Sequence, residues 1–299
     1  MKFLTCHKNV LKLKKKCGVL AQLGERYNGI VEVRGSTPLG STKRFIMNSA
    51  AQSFNTCSEI YEYSRPNYPD AVANFLKSKL GFNTSSQLLE LAAGTGKFTD
   101  LLVKHNLYPT VTEWLQGMLG ILRAKHQQLL SIISRAENIP FQNNLFDGVL
   151  VAQAFHWFAD HMTLNDIARV LKNNGYITII FQERDNQSSW VYDYHKIIYS
   201  YPHDDIVKFE RGKWKSVFKQ QSIFSALEHQ KFSYRQPFFK KDLVQKALGM
   251  SFIAALPDTQ KKDVIKRIQH LCKTHPEIKN HEIIGFPYIT HVYWAKVLK

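Results

Sequence analysis

Eight positions in this chain carry residue types and spacings that point to one ligand site. They are Glu90, Gly94 with Gly96, Glu113, Ala136 with Glu137, Gln153 and His156. The stretch "LLELAAGTGKF" (88–98) holds a Gly-x-Gly-Lys core that three nucleotide-binding turns share. A phosphate-cradling P-loop needs a first Gly five residues before the second, and a hydroxyl after the Lys. Leu91 and Phe98 stand at those places. A dinucleotide turn needs a third Gly so that helix and strand pack closely, and Thr99 occupies it. What remains is an acid ending a first strand, Glu90, followed by a turn, Ala92 to Gly96 with Thr95 inside it, that lets backbone approach a ligand. A Gly-rich strand-to-helix turn with no ligand is the alternative.

The other positions match the remaining parts of an adenosyl amino acid. Glu113 follows Gly94 by 19 residues, where a carboxylate ending the second strand can accept both ribose hydroxyls; a solvated acid at a helix start is the other reading. Glu90 can accept from an ammonium, directly or through water. "RAENIPF" puts Ala136 and Glu137 where an adenine edge would lie, and Gln153 ends a fourth strand leading into "AFHWF". His156 in that motif suits a base for a hydroxyl or thiol, or a hydrogen bond to an anionic substrate. It can equally be a packed wall residue, with Trp157 as wall.

These residues need a scaffold that brings strand ends together. From 87 to 182 short apolar runs alternate with helical patterns, as in βαβ units around a parallel sheet. The strands expected are 87–93, 108–113, 129–134, 147–153 and 175–182, with helices at about 97–106, 115–127 and 160–172, the last stopped by Asn174-Gly175. After 183 helical segments near 187–201, 240–250 and 258–274 alternate with two further strands, 231–239 and 288–297. An antiparallel pair at the sheet edge would complete seven strands. The fold expected is α/β, a Rossmann-like, mostly parallel seven-stranded sheet with helices on both faces and a C-terminal helical cap. In domain terms, 47–182 form the cofactor-binding core, and 183–299 the cap helices and last two strands.

The chain resembles the class I S-adenosylmethionine-dependent methyltransferases of the ubiquinone/menaquinone-biosynthesis type. More narrowly it is similar to a small-molecule subgroup that includes trans-aconitate methyltransferase-like proteins. The resemblance covers about residues 59–299. It rests on "YEYSRPNYP" (61–69), "LELAAGTGKFT" (89–99), "TEWLQGML" (112–119), "AENIPF" (136–141), "FDGVLVAQAFHWF" (146–158), "IARVLKNNGY" (167–176) and "PYITHVYW" (287–294). Trp114 stands where a Pro often follows the ribose acid, and Asn173-Asn174 replace a common Pro-Gly. The resemblance implies S-adenosylmethionine as cofactor, with Ala92, Thr95 and Trp114 joining the residues above in its site. It further implies that Tyr61 and Arg65 close over the cofactor, Arg65 pairing with its carboxylate. Read from residues alone, "RPNYP" is equally a Pro-rich loop.

No [NDS]-P-P-[YF] motif follows the fourth strand and no Pro-Cys nucleophile is present, so amino-group methylation of bases and C5-pyrimidine methylation are not expected. The expected reaction is methyl transfer to a carboxylate or hydroxyl of a small molecule. His156, Trp157, Tyr288 and His291 would line the acceptor pocket, within a cap rich in aromatic and basic side chains. An RNA methyltransferase and a non-catalytic cofactor-binding protein are the alternatives.

The net charge of +16 speaks less for nucleic acid than it first does. Half of it lies in residues 1–46, with ten basic and two acidic residues. Within that stretch "AQLGER" (21–26) and "RGSTP" (34–38) back-translate to sequences like the D-arm and T-arm of a tRNA gene, at about the separation of those arms. Residues 1–46 are therefore expected to be a non-native, disordered extension from a mis-assigned start, with Met47 the first native residue. A basic targeting arm or a disordered tail are the other readings. Cysteines at 6, 17, 57 and 272 show neither pairing nor metal-ligand spacing, and no apolar run approaches the roughly 18 residues of a membrane span. A soluble, cytoplasmic protein without a metal is expected.

Overall fold

Strands covered on both faces read as largely apolar runs, and "LLEL" (88–91) and "FDGVLVA" (146–152) fit that pattern. The computed structural model describes residue 62 and residues 65–201, 212–219, 221–254 and 256–299; the segment 1–46 and Tyr61 lie outside the described residues. In chain order come α1 (Asp70–Leu80), β1 (Leu88–Leu91), α2 (Lys97–Lys104), β2 (Thr110–Glu113), α3 (Gln116–Lys125), β3 (Ser131–Ile133), β4 (Phe146–Ala152), α4 (His161–Val170) and β5 (Leu171–Arg184). They are followed by α5 (Ser189–Ile198), β6 (Glu228–Phe239), α6 (Leu243–Leu248), α7 (Ser251–Ala254), α8 (Asp258–Thr274) and β7 (Ile283–Lys296). The sheet order is β3-β2-β1-β4-β5-β7-β6. β1 to β5 run parallel, and β7 lies antiparallel to both β5 and β6. The order reverses between β1 and β4, which is where such sheets open a crevice beyond the strand ends.

Strand alternation divides the core in two. Val149 and Val151 of β4 join Ile177 and Ile179 of β5 under α4, with Leu164 and Ile167, and under Trp214 and Phe218 of a short 3-10 segment, Lys213–Phe218. Leu150 and Ile180 face the other way, against Val72, Ala73 and Leu76 of α1 and Phe98 and Leu102 of α2. Each such side chain, taken wholly from water, contributes about 1.5–3 kcal/mol.

Two elements differ from the expectation. α1 was not expected, although Val72, Ala73, Leu76 and Leu80 form its buried side. Its ends are also well marked: Pro69 precedes it, and Gly81, at φ 75, donates its N–H to Leu76 O. α4 stops at Val170, since Leu171 is already extended (φ -70, ψ 142) and opens β5. Asn174-Gly175 therefore lie within a strand, near a register shift between Phe146 and Gly148, rather than closing the helix.

β5 outruns its neighbour. Ala152, the last residue of β4, pairs with Ile180, so Phe181 to Arg184 rise above β4 together with the start of β7 and the end of β6. The cap packs on this extension. Trp190, Val191 and Tyr194 of α5, Leu243 of α6 and Val264 and Ile268 of α8 bury Ile284, Phe286 and Tyr288 of β7. The Phe286 ring is fully buried, edge-on to Trp190 at 5.0 Å. Phe286→Ala is expected to cost about 3–5 kcal/mol of unfolding free energy. Denaturant titration checks this, and a loss under about 1 kcal/mol, the scale of an ordinary substitution, would show that the cap is fastened elsewhere.

Candidate cofactor and acceptor site

The turn after β1 takes its shape from three left-handed residues, Ala92 (φ 53), Gly94 (φ 60) and Gly96 (φ 85). A side chain at Gly96 would also bring its Cβ to 3.1 Å from Leu122 Cγ on α3. The turn is tied to the end of β2. Glu113 Oε2 accepts from Gly94 N–H at 2.9 Å, and Oε1 from Leu115 N–H at 2.8 Å. The carboxylate is buried; burial pushes its pKa up, while the N–H groups of Leu115, Gly94 and Trp114 pull it back. Glu90, wholly buried at the end of β1, accepts from Thr99 Oγ1 at 2.7 Å. Burial raises it to about 8. Thr99, which in the sequence looks only like a missing glycine, is thus the partner that holds Glu90.

Glu62 is a residue that sequence reasoning missed. Its Oε1 lies 3.0 Å from Lys97 Nζ and 3.1 Å from Lys125 Nζ, and Lys125 also reaches Asp100 at 2.7 Å. Burial works to raise the Glu62 pKa, yet the Thr95 hydroxyl and the two lysines outweigh it and hold it below the usual carboxylate range. Glu62 therefore fastens the chain beside Tyr61 onto the turn and the start of α2. The signal available in sequence was only an acid next to "YSRP". Arg65 is exposed, and its charge is felt by Lys246 and Tyr288 under the cap.

On the far side of Glu113, Trp114 lies under the Arg135 guanidinium, 4.7 Å from its ring centre. Ala136 is buried and Glu137 exposed. At the end of β4, Gln153 is left-handed (φ 61). Its N–H donates to Ile180 O at 2.8 Å and its Nε2 to Gln182 O at 2.8 Å, so it ties the β4 loop to the uncovered edge of β5. In the following 3-10 turn, Phe155–Trp157, Phe155 points into the core against Trp214. His156 sits 4.9 Å from the Trp157 ring centre and 5.7 Å from that of Phe181. Burial lowers its pKa to about 4, so the imidazole is neutral at pH 7. Trp157 is 43% exposed, an unusual cost for so large a ring.

Tyr288 and His291 do not share a surface. Three residues apart on one strand, they point to opposite faces. Tyr288 is buried with the cap, and burial raises its phenol to about 12. On the other face His291 has Nδ1 3.0 Å from His229 Nε2 and Nε2 3.0 Å from Glu183 Oε1. Both were expected to line the acceptor pocket; the strand period places them on opposite faces of the sheet.

The family described as the methyltransferase domain matches residues 89–179, from β1 into β5. The chain is 30% identical over 243 residues to an uncharacterized methyltransferase-like protein of Schizosaccharomyces pombe, covering 81% of this chain and 94% of that one. It is 28% identical over 238 residues to an uncharacterized methyltransferase of Mycobacterium tuberculosis, covering 80% and 93%. A proposed type II methyltransferase of Anaeromyxobacter dehalogenans shares the fold, with TM-score 0.57 at 13% identity over 78% of this chain and 97% of that one. The chain belongs to the class I S-adenosylmethionine-dependent methyltransferases, and S-adenosylmethionine is its cofactor. The described residues fit that cofactor: the turn offers backbone without side chains at Gly94 and Gly96, and a carboxylate with about four lone-pair sites keeps acceptor capacity at Glu113 for hydroxyls. Among the described residues no helix is long and apolar enough to cross a membrane.

The raised Glu90 pKa gives a pH test of the ligand-free protein. In the fold Glu90 keeps its proton up to about 8, whereas unfolded it releases it near 4.5. Between those values the folded state binds more protons, so this group's contribution to stability falls as pH rises. Glu90→Gln removes that titration and leaves the others in place. Melting temperatures of the two proteins, followed without cofactor across that window, should diverge with the wild type losing ground; parallel curves would mean that Glu90 is already ionised.

Proposed function

We propose that the protein transfers the methyl group of S-adenosylmethionine to an oxygen, a carboxylate or hydroxyl, of a small acceptor seated between the His156 turn, the outer end of β5 and the cap. The observation that carries this reading is His156, a neutral, half-buried imidazole beside Trp157 and Phe181 in the loop at the end of β4. The cofactor supplies an electrophilic methyl on a sulfonium whose positive charge is lost in transfer.

Around it, Glu113 takes the ribose hydroxyls, Glu90 faces the ammonium, and the Ala92–Gly96 turn with Thr95 supports the methionine portion. Trp114, Ala136 and Glu137 border the adenine, Gln153 sets the loop behind the sulfonium, and Tyr61 with Arg65 closes the mouth. In-line displacement asks mainly for orientation and exclusion of water, which the aromatic wall and the cap supply. An imidazole brought down to about 4 is a weak base, so His156 serves best as a hydrogen-bond partner to the acceptor. That favours a carboxylate, which is ionised at pH 7 and needs no base.

The test is a methyl-transfer screen over carboxylic acids, phenols and thiols. A tRNA arm is included because residues after 46 keep half of the net positive charge. On the acceptor found, His156→Ala should raise KM about tenfold, on the order of one hydrogen bond, and leave kcat within about threefold. A fall in kcat of roughly 10² or more, with KM unchanged, would instead make His156 the base for a hydroxyl. Transfer to tRNA alone would overturn the small-molecule reading.

A further inference from the structure

Between β3 and β4 the chain runs through residues 134–145 without a helix or strand, yet α4 holds the middle of that loop at several points. Arg169, in the last turn of α4, gives its Nε to Asp166 Oδ1 at 2.6 Å and its Nη2 to Ile139 O at 2.9 Å. Its Nη1 reaches Phe141 O at 2.6 Å and Asn143 Oδ1 at 3.0 Å. Asp166 Oδ2 in turn accepts from Ile139 N–H at 2.8 Å. Both backbone groups of Ile139 are thus held by one ion pair, and Asn144 N–H adds a bond to Arg169 O at 3.0 Å. The pair has a firm base, because Leu164 and Ile167 of the same helix are buried against the sheet. A partly exposed ion pair contributes little by its charge alone. What distinguishes this one is geometry: a planar fork reaches four acceptors at once, which an ammonium cannot copy.

Ile139 follows directly on the turn 135–138, closed by Asn138 N–H to Arg135 O at 3.3 Å. A turn of this kind does not use the N–H groups of its two central residues, here Ala136 and Glu137. On one side of it Arg135 lies over Trp114, the neighbour of the buried Glu113. Ser134 Oγ donates to Asn138 O at 2.8 Å, so the turn is short and tied at both ends. Adenine N1 is an acceptor that such N–H groups can meet. A deaminated base carries N1–H instead and would set donor against donor.

We propose that Asp166 and Arg169 are positioning residues for the cofactor base: by gripping Ile139 they set the Ala136 and Glu137 N–H groups against the adenine, and with them the preference of the site for a 6-amino over a 6-oxo purine. The proposal rests on the placement of the adenine given above. Both side chains act through the backbone of residues 136–139 rather than by touching the cofactor.

S-adenosylhomocysteine and its deaminated analogue S-inosylhomocysteine are titrated calorimetrically into the wild type, Arg169→Lys, Arg169→Gln and the nearly isosteric Asp166→Asn, each below its own melting transition. The wild type is expected to favour the adenine ligand at least about tenfold, since the analogue leaves donors unpaired. In both Arg169 variants that preference should fall at least about fivefold, through weaker binding of the adenine ligand with binding of the analogue little changed. Lys should not restore it, because a point charge cannot hold Ile139 O and Phe141 O together. Asp166→Asn, which keeps an oxygen for Ile139 N–H, should lose less. A lowered melting temperature with the preference intact would make the pair a structural tie and overturn the proposal. So would full rescue by Lys, which would leave charge as the sole requirement. If the wild type itself binds both ligands equally, the turn does not read the base, and the placement of the adenine falls together with the proposal. A wild-type preference that survives in every variant keeps that placement and removes the proposal alone.

Discussion

Two carboxylates buried at the ends of adjacent parallel strands set the terms for this site. A carboxylate taken from water is costly unless its lone pairs are met. Glu113 meets this requirement with the N–H groups of Gly94 and Leu115, and in doing so locks the turn after β1 to the end of β2. Glu90 meets it with Thr99 on α2 and with a proton retained to about 8. The same low dielectric that makes these groups expensive makes them strong toward an incoming ammonium or hydroxyl. On the proposed placement of the cofactor, its binding would relieve a cost that the ligand-free fold carries, which would couple affinity to stability.

The sheet supplies the second half of the arrangement by ending its strands at different heights. β4 stops at the level of Ile180 while β5 continues to Arg184, which leaves a ledge whose two faces differ in chemistry. One face carries Phe181, against which the neutral His156 rests, and the His291–Glu183 pair. The other carries Arg184 and Tyr288 beneath the cap and Lys246. The cap owes its position to Phe286 and Tyr288, aromatic residues in the same extension, so the packing that stabilises the fold also covers one face of the ledge.

Much of this was legible in the sequence. Glu90, Gly94, Gly96 and Glu113 stood out because strand ends and turns leave local marks: an apolar run, an acid, a residue that tolerates positive φ. The seven strands with their antiparallel edge pair followed from the alternation of strands and helices. α1 escaped notice although Val72, Ala73, Leu76 and Leu80 recur at helical spacing; its stability comes from these residues meeting a sheet formed later in the chain. The α4 to β5 junction was placed late because Asn174-Gly175 look like a helix stop, whereas the chain turns extended at Leu171. Pairings such as Arg184 with Tyr288, or Glu62 with Lys97 and Lys125, depend on register and on long-range folding, which no local pattern records. Tyr288 and His291 were joined by proximity in sequence and separated by the two-residue period of the strand.

The most direct test of the account is a calorimetric titration of S-adenosylmethionine into the wild-type protein and Glu113→Gln. If the buried carboxylate receives the ribose while holding the turn, the variant should bind about 1.5–3 kcal/mol more weakly, the worth of hydrogen bonds to a charged group. Unfolding free energy is measured alongside, because the two backbone N–H groups lose a charged acceptor. Affinity unchanged within error would contradict the account and place the ribose away from Glu113.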